Sequence, residues 1–337
     1  MHARTPLHPA TPFSRRKLLI GAGVALPALT LRSRWSGQET PATTPDPEGK
    51  RPLRFYALGD TGAATETRAQ AIAALAARAE HDPPDFVLLL GDNFYEFGIQ
   101  SANDARWKTD FEDAFGAPSL RVPFHAVLGN HDHFGKVEAE IEYTKKSTRW
   151  KMPRRYHSFE SHNYQSPPLT DPLASGRAST GAALFLLDTT PILSAEDHDL
   201  EQLAWLETEL GKCEAPWKVA AGHHPLRTGG LHGGEPVPAE LGPLFEQGGV
   251  DLYLSGHDHD LQLVLGPERW IQVVSGATAK PRETRRIDGT RFACSDPGFV
   301  LVELDDEAMR IEFVSAPGET RHEERIPRRE RAAAGAR

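Results

Sequence analysis

Two cysteines in 337 residues exclude a disulfide-stapled fold and a zinc site built on thiolates. Cys213 and Cys294 allow at most one bond between them in an oxidising compartment. Long apolar runs are missing too. The longest, inside residues 14–31 (SRRKLLIGAGVALPALTL), has about fourteen residues, short of the roughly 20 that a spanning helix needs. Acidic residues are absent from the first 37 positions, which carry six basic ones. Beyond them 32 Lys and Arg face 47 Asp and Glu, a formal charge of −15. So acidic a body does not suit nucleic acid, which calls for a basic domain. With 39% hydrophobic and 25% charged residues, the chain is neither disordered, collagenous nor a multi-span membrane protein.

What the chain has is histidine, fifteen in all. At least six stand beside Gly, Asp or Asn in tight motifs.

Ser14-Arg15-Arg16, the apolar run, and then Arg32 and Arg34 follow the basic–apolar–polar order of a signal peptide. The arginine pair resembles a twin-arginine export signal, so residues 1–35 read as a leader and the protein as exported, periplasmic or secreted. No stable membrane span is expected once the leader is removed. Residues 36–52, rich in Pro, Thr, Gly and Glu, read as a linker. Residues 317–337 alternate Arg with Glu and read as a charged, solvated tail. The core is then 53–316, expected to act as a monomer.

Within it, short apolar strands alternate with helical stretches. Strands are expected over 53–58, 86–90, 124–128, 183–187, 217–221 and 252–254, and again over 261–265, 270–275, 298–304 and 309–314. Helices are expected over 65–80, 103–115 and 199–211. The order β-α-β-α-β with strands later predicts an α/β fold, a layered sandwich of two sheets with helices outside. One event recurs: a strand ends in Gly followed by Asp, Asn or His. The endings are Gly59-Asp60-Thr61-Gly62, Gly91-Asp92-Asn93-Phe94-Tyr95, Gly129-Asn130-His131-Asp132-His133, Gly222-His223-His224-Pro225 and Gly256-His257-Asp258-His259. Ligands collect beyond the carboxyl ends of strands in open α/β sheets. Five such endings in one crevice make a single polar pocket.

Asp60, Asp92, Tyr95, Asn130, His131, His223, His257 and His259 are the candidates. Buried together without a metal, their carboxylates and imidazoles would be costly to desolvate. Oxygen and nitrogen donors without thiolate suit Fe, Zn, Mn or Co. They outnumber the needs of one tetrahedral ion and fit two ions about 3.5–4 Å apart, with Asp92 as the bridging carboxylate. Gly-His-Asp-His sets two imidazoles on one side of an extended segment. His125, His157, His162 and His198 carry no such context and read as ordinary core or surface residues.

With these blocks the chain resembles the purple acid phosphatases of the small, tartrate-resistant type, within the metallophosphoesterases. Trp150-Lys151-Met152-Pro153, Leu187-Asp188-Thr189, Gln202 through Leu206 and Ser275-Gly276-Ala277 extend the similarity. The resemblance implies the metallophosphoesterase sandwich, two mixed β-sheets flanked by helices. It implies that Asp60, Tyr95 and His259 hold a ferric ion, that Asn130, His223 and His257 hold a divalent one (Fe, Zn or Mn), and that Asp92 bridges them. Tyr95, three residues after Asp92, separates this family from other metallophosphoesterases. His131 would stand over the substrate, and His232 would be a second outer histidine. The residue before that histidine is commonly acidic in animal members; here it is Leu231.

The implied function is an acid phosphatase acting on small phosphomonoesters by attack of a metal-bound hydroxide. A ferric ion acidifies its water below the value of about 7 typical of zinc, hence an acid optimum. The competing expectation is a phosphodiesterase or nucleotidase using the same two ions. Lys145, Lys146, Arg149, Lys151, Arg154 and Arg155 form a basic stretch that could rim the pocket.

Overall fold

The computed structural model describes residues 51–161, 178, 180–194 and 199–329; the leader, most of the linker, His162 and His198 lie outside these. In chain order the first elements are β1 (Leu53–Leu58), α1 (Glu66–His81), β2 (Phe86–Leu90), β3 (Phe124–Val127), α2 (Val137–Tyr143), β4 (Trp150–Lys151) and β5 (His157–Glu160). Next come β6 (Ala182–Leu186), α3 (Thr189–Leu193), α4 (Leu200–Lys212), β7 (Trp217–Ala221), α5 (Leu241–Gly248) and β8 (Leu252–Ser255). The last are β9 (Leu261–Leu265), β10 (Ile271–Ser275), β11 (Thr290–Cys294), β12 (Gly298–Leu304), β13 (Ala308–Ser315) and β14 (Glu319–Pro327).

Two mixed seven-stranded sheets result, ordered β14-β13-β12-β1-β2-β3-β4 and β11-β9-β10-β8-β7-β6-β5. Strands β1 to β4 are mutually parallel, as are β6, β7, β8 and β10, and the remaining strands add antiparallel. Period-2 alternation sends Phe55 and Ala57 of β1, and Phe86, Leu88 and Leu90 of β2, into one apolar cluster with Val219, Leu254, Val273 and Ile311. That cluster lies between the sheets. The alternate residues Tyr56, Leu58, Val87 and Leu89 pack on the other face with Ile72 and Leu75 of α1. Ala183, Phe185, Ala220 and Tyr253 do the same with Leu206, Leu210 and Phe245 of α4 and α5. Both faces of the central strands are covered, which is why they read as continuous apolar runs. Thr65 caps α1 by accepting from the Arg68 N–H at 3.0 Å, and Pro83-Pro84 prevents its continuation.

Three expectations change. The segment 317–337 is not wholly a solvated tail, because Glu319–Pro327 continues the first sheet antiparallel to β13. His322, Glu324 and Ile326 turn inward while Arg321, Glu323 and Arg325 face water; Ile326 packs against the inter-sheet core and His322 stacks on Phe292. The linker ends early, since Arg51 is ion-paired to Asp85 at 2.5 Å. The 103–115 helix shrinks to a π-helical turn, Trp107–Glu112. Cys213 and Cys294 are separate free thiols.

Candidate metal centre

Asp60, Asp92, Asn130, His223 and His257 follow the carboxyl ends of β1, β2, β3, β7 and β8, and the structure brings all of them together with Tyr95 and His259. Room for this convergence comes from glycine. Gly91 has φ +87°, and a Cβ there would lie 2.5 Å from His223 Nδ1. A Cβ on Gly256 would lie 2.7 Å from Asp60 Oδ2. The donors themselves bear strain: the non-glycine residues with positive φ among those described are Asp60 (58°), Asp92 (51°) and His257 (68°). Such a backbone is held only when its surroundings over-determine it, and it concentrates at functional sites.

The donors form two groups of three. In one, Tyr95 Oη lies 2.9 Å from Asp60 Oδ1 and 3.1 Å from His259 Nε2, and His259 Nε2 lies 3.2 Å from Asp60 Oδ1. In the other, Asn130 Oδ1 is 3.1 Å from His223 Nε2 and 3.1 Å from His257 Nδ1, and the two imidazole nitrogens are 3.3 Å apart. Asp92 stands with both: its Oδ1 is 3.4 Å from His223 Nε2, and its carboxylate, with Asp60 and His223, forms a set of donor atoms within 4.8 Å.

The outer ring atoms are committed. His223 Nδ1–H donates to the Leu90 carbonyl and His259 Nδ1–H to the Lys280 carbonyl, each at 2.8 Å. Both Nε2 lone pairs therefore face inward. Asn130 Oδ1, His223 Nε2 and His257 Nδ1 suit a cation between them, and a proton on His257 Nδ1 or on His223 Nε2 also satisfies them. Metal bonds of about 2.1 Å set neighbouring ligands about 3 Å apart, so the spacing fits.

The electrostatics agree. Burial opposes ionisation of Asp60, but His259, His223 and Tyr95 outweigh it and hold the carboxyl below its usual range. Burial, then Asp60 and Asp92, push the Tyr95 phenol far up, so a phenolate there needs a cation beside it. Burial and the neighbouring imidazoles of His223, His224, His232 and His259 push His257 far down, keeping it a neutral donor.

His131 lies outside both groups. Its Nδ1–H donates to the Glu96 carbonyl at 2.7 Å, leaving Nε2 4.0 Å from Asp92 Oδ2 at the open side. His232 packs its ring 4.2 Å from that of His257 and donates from Nδ1 to Glu235 Oε1 at 2.8 Å. A carboxylate is missing at Leu231, and His232 is instead paired with Glu235, three residues after the histidine.

The chain matches the calcineurin-like phosphoesterase family over residues 53–261. It is 32% identical to tartrate-resistant acid phosphatase type 5 of Sus scrofa over 312 residues, covering 83% of this chain and 88% of that protein. The chain belongs to the purple acid phosphatases. Purple acid phosphatase 4 of Arabidopsis thaliana is 28% identical over 305 residues, 82% of this chain and 84% of that protein. GAP50, the anchor in the inner membrane complex of Plasmodium, shares the fold with a TM-score of 0.73 at 23% identity, over 83% of this chain and 90% of that one. As a purple acid phosphatase the protein is a metal-dependent hydrolase of phosphoric monoesters.

This phosphatase also uses residues that its motifs do not single out. Asp132 accepts from the N–H groups of Asn93, Phe94 and Gly129 at 3.0, 3.2 and 2.8 Å, tying two strand-end loops together; burial and then Asp92 push its carboxyl up to about 7. Thr189 Oγ1 accepts from the N–H groups of His223 and His224. Asp258 accepts from the His232 N–H at 2.9 Å. Asp132 and Asp258 stand inside the motifs and could have been marked as loop clamps; Glu235 is signalled only by its i+3 spacing from His232. The basic stretch 145–155 does not form the rim as a unit. Arg149 pairs with Glu112 at 2.6 Å over the Phe111 ring, and Arg155 pairs with Asp188 and Asp199. Lys280 and Arg282 stand at the site instead.

Proposed function

We propose that the enzyme is an acid phosphatase working with Fe(III) and a divalent Fe, Zn or Mn ion. The supporting observation is the two groups of three inward-facing donors with Asp92 between them. In this reading Asp60, Tyr95 and His259 hold the ferric ion, Asn130, His223 and His257 the divalent one, and Asp92 bridges. When bound, the ions supply Lewis acidity and activate water for in-line attack on phosphorus.

The remaining work falls to side chains. Asn130 and His131 flank the phosphate. With its Nδ1–H held by the Glu96 carbonyl, His131 keeps Nε2 as the atom that gives a proton to the leaving oxygen as the P–O bond breaks. Glu235 fixes the His232 ring by the same logic, with Nε2 toward the open side.

Metal analysis of the purified protein with a panel of phosphomonoesters and diesters at several pH values tests this reading. Iron plus a second metal, and faster monoester hydrolysis in acid, are expected. Diesters preferred, or a folded metal-free protein, would overturn it. Tyr95→Phe isolates the ferric assignment: the phenolate-to-iron absorption band should vanish while the fold stays.

We further propose that the chain is exported by its twin-arginine-type leader, a reading carried by Arg15-Arg16, and that it acts as a monomer. Arg15→Lys with Arg16→Lys should retain the protein in the cytoplasm; unchanged export would refute the leader. Light scattering should give the mass of one chain.

A further inference from the structure

His131 is aimed through the backbone of another loop. The rings of Tyr95 and Phe134 flank it, with centroids 4.5 and 5.5 Å away, and limit where the imidazole sits. Its rotation is set by the bond from Nδ1–H to the Glu96 carbonyl. Where that carbonyl points therefore decides where Nε2 points. The peptide that carries it has little packing of its own. Phe97 is 66% exposed, so its side chain does not hold its backbone. Lys280 pairs with the Glu96 carboxylate at 2.6 Å and leaves the peptide alone.

Loop carbonyls have no ladder partner and must be satisfied some other way. Arg106, just before the π-helical turn, does this for the two carbonyls that follow Glu96. Its Nη1 donates to the Phe97 carbonyl at 2.8 Å and its Nη2 to the Gly98 carbonyl at 3.0 Å. The Gly98 N–H donates in turn to the His131 carbonyl at 2.9 Å. A Cβ on Gly98 would run into the Asp132 carbonyl oxygen, so the two loops touch without slack. Arg106 is itself fixed. Asp104 accepts from its Nε at 3.3 Å, from Nη2 at 3.0 Å and from its backbone N–H at 3.0 Å. These bonds from Arg106 hold the Asp104 carboxyl below its usual range, so the pair stays charged in acid. Four of the five guanidinium N–H groups are thus engaged inside the protein. The residue is a clamp on the backbone and does not reach for substrate. Its planar fork of donors suits two successive carbonyls, which the single point of a lysine does not.

We infer that Arg106 is a positioning residue for proton transfer: by holding the Phe97 and Gly98 carbonyls it fixes the adjoining Glu96 carbonyl, and through it the aim of His131 Nε2 at the leaving oxygen. The inference rests on the reading of His131 as proton donor. In that step the oxygen of the attacking water bonds to phosphorus. The bond from phosphorus to the leaving oxygen breaks, and its electron pair stays on that oxygen. The Nε2 proton goes to the leaving oxygen, and a proton of the water restores His131. A leaving group that departs well as an anion needs little of this proton; an alkoxide needs it most. Misaiming Nε2 therefore costs rate in proportion to how poor the leaving group is, and a general loosening of the fold does not.

Steady-state kinetics of the metal-loaded enzyme on glycerol phosphate, a poor leaving group, and p-nitrophenyl phosphate, a good one, test this. The proteins are wild type, Arg106→Met, Arg106→Lys, His131→Ala and the double variant Arg106→Met with His131→Ala. Arg106→Met should lower kcat for glycerol phosphate about 10-fold, the low end for lost hydrogen bonds to a charged group. For p-nitrophenyl phosphate the loss should be at most about threefold, and KM should hold on both, as for an interaction that matters only in the transition state. Arg106→Lys should recover part of the loss. In the His131→Ala background Arg106→Met should cost nothing more, because the two act as one unit. Asp104→Asn loosens the guanidinium but keeps it, and should show the same substrate bias at smaller size; it decides the matter if Arg106→Met does not fold. Equal losses on both substrates, no loss on either, or a loss that persists without His131 would overturn the inference. If His131→Ala itself slows both substrates alike, the proton-donor reading of His131 falls, and the role of Arg106 falls with it.

Discussion

At the scale of single residues, the roles of Asp92 and His131 separate by what each touches. Asp92 stands with both donor groups, while His131 reaches only the open side and is held from behind by the Glu96 carbonyl. Asp92→Ala should therefore lose both metals and all hydrolysis. His131→Ala should keep the metals and lower kcat by about 10²–10⁴, the usual contribution of a general acid. Metal content and kcat measured on the same preparations check the contrast; an Asp92→Ala protein that kept two metals would remove the bridge. The side chains that converge here were legible in the sequence because a metal site would demand these residue types and the strand-end motifs open on glycine. Lys280 and Arg282 were not. They come from a long segment without periodicity, and only its backbone bonds to His259 and Gly229 bring it over the site. A cluster of lysines and arginines at 145–155 was a louder signal with a duller use, since Arg149 and Arg155 pair internally with Glu112, Asp188 and Asp199.

At the scale of elements, the strands were legible where both faces are buried and faint where one faces water. β2 reads FVLLL and every residue is buried. β14 reads ETRHEERIP, and its inward residues include a histidine and a glutamate, so no apolar alternation marks it. Composition cannot distinguish such an edge strand from a tail. The loops after the strands hold a feature no pattern reveals, the left-handed backbone of Asp60, Asp92 and His257. It gives a prediction with an unusual sign. In a strand or helix, Gly is less stable than Ala by roughly 0.5–1 kcal/mol. At position 257, with φ 68°, the order should reverse. His257→Gly should be more stable than His257→Ala by about 1 kcal/mol, because a Cβ in this region costs roughly 1–2 kcal/mol, while both variants lose the divalent site. Denaturant melts of the two metal-free variants measure the difference. Alanine equal to or above glycine would mean that the left-handed turn is not retained without the imidazole.

At the scale of the whole molecule, the two sheets meet over an apolar core that includes two histidines. His125 of β3 stacks on Phe159 of β5 with ring centroids 4.0 Å apart, and His157 of β5 stands opposite Leu186. Both are buried. Burial, then repulsion from His157 and Lys151, pushes His125 well below its ordinary range. Burial first, with the charge of Arg154 adding, brings His157 down to about 4. Each folded value is depressed, so the unfolded chain takes up its protons first. Stability is then fully present above about pH 6.5 and falls as the pH drops toward the folded value of His157, about 4, by up to about 1.4 kcal/mol per pH unit for each histidine. An acid phosphatase would work on that falling limb, with chemistry that favours acid and an inter-sheet core that resists it. His157→Leu removes one proton acceptor and leaves an apolar side chain beside Leu186. Its melting temperature relative to wild type should rise from pH 7.5 to pH 5, by about 2–4 °C for each kcal/mol recovered. Thermal melts at the two pH values decide it. A difference that is the same at both would show that His157 does not titrate on unfolding, and the acid limb would have to be sought in the carboxylates.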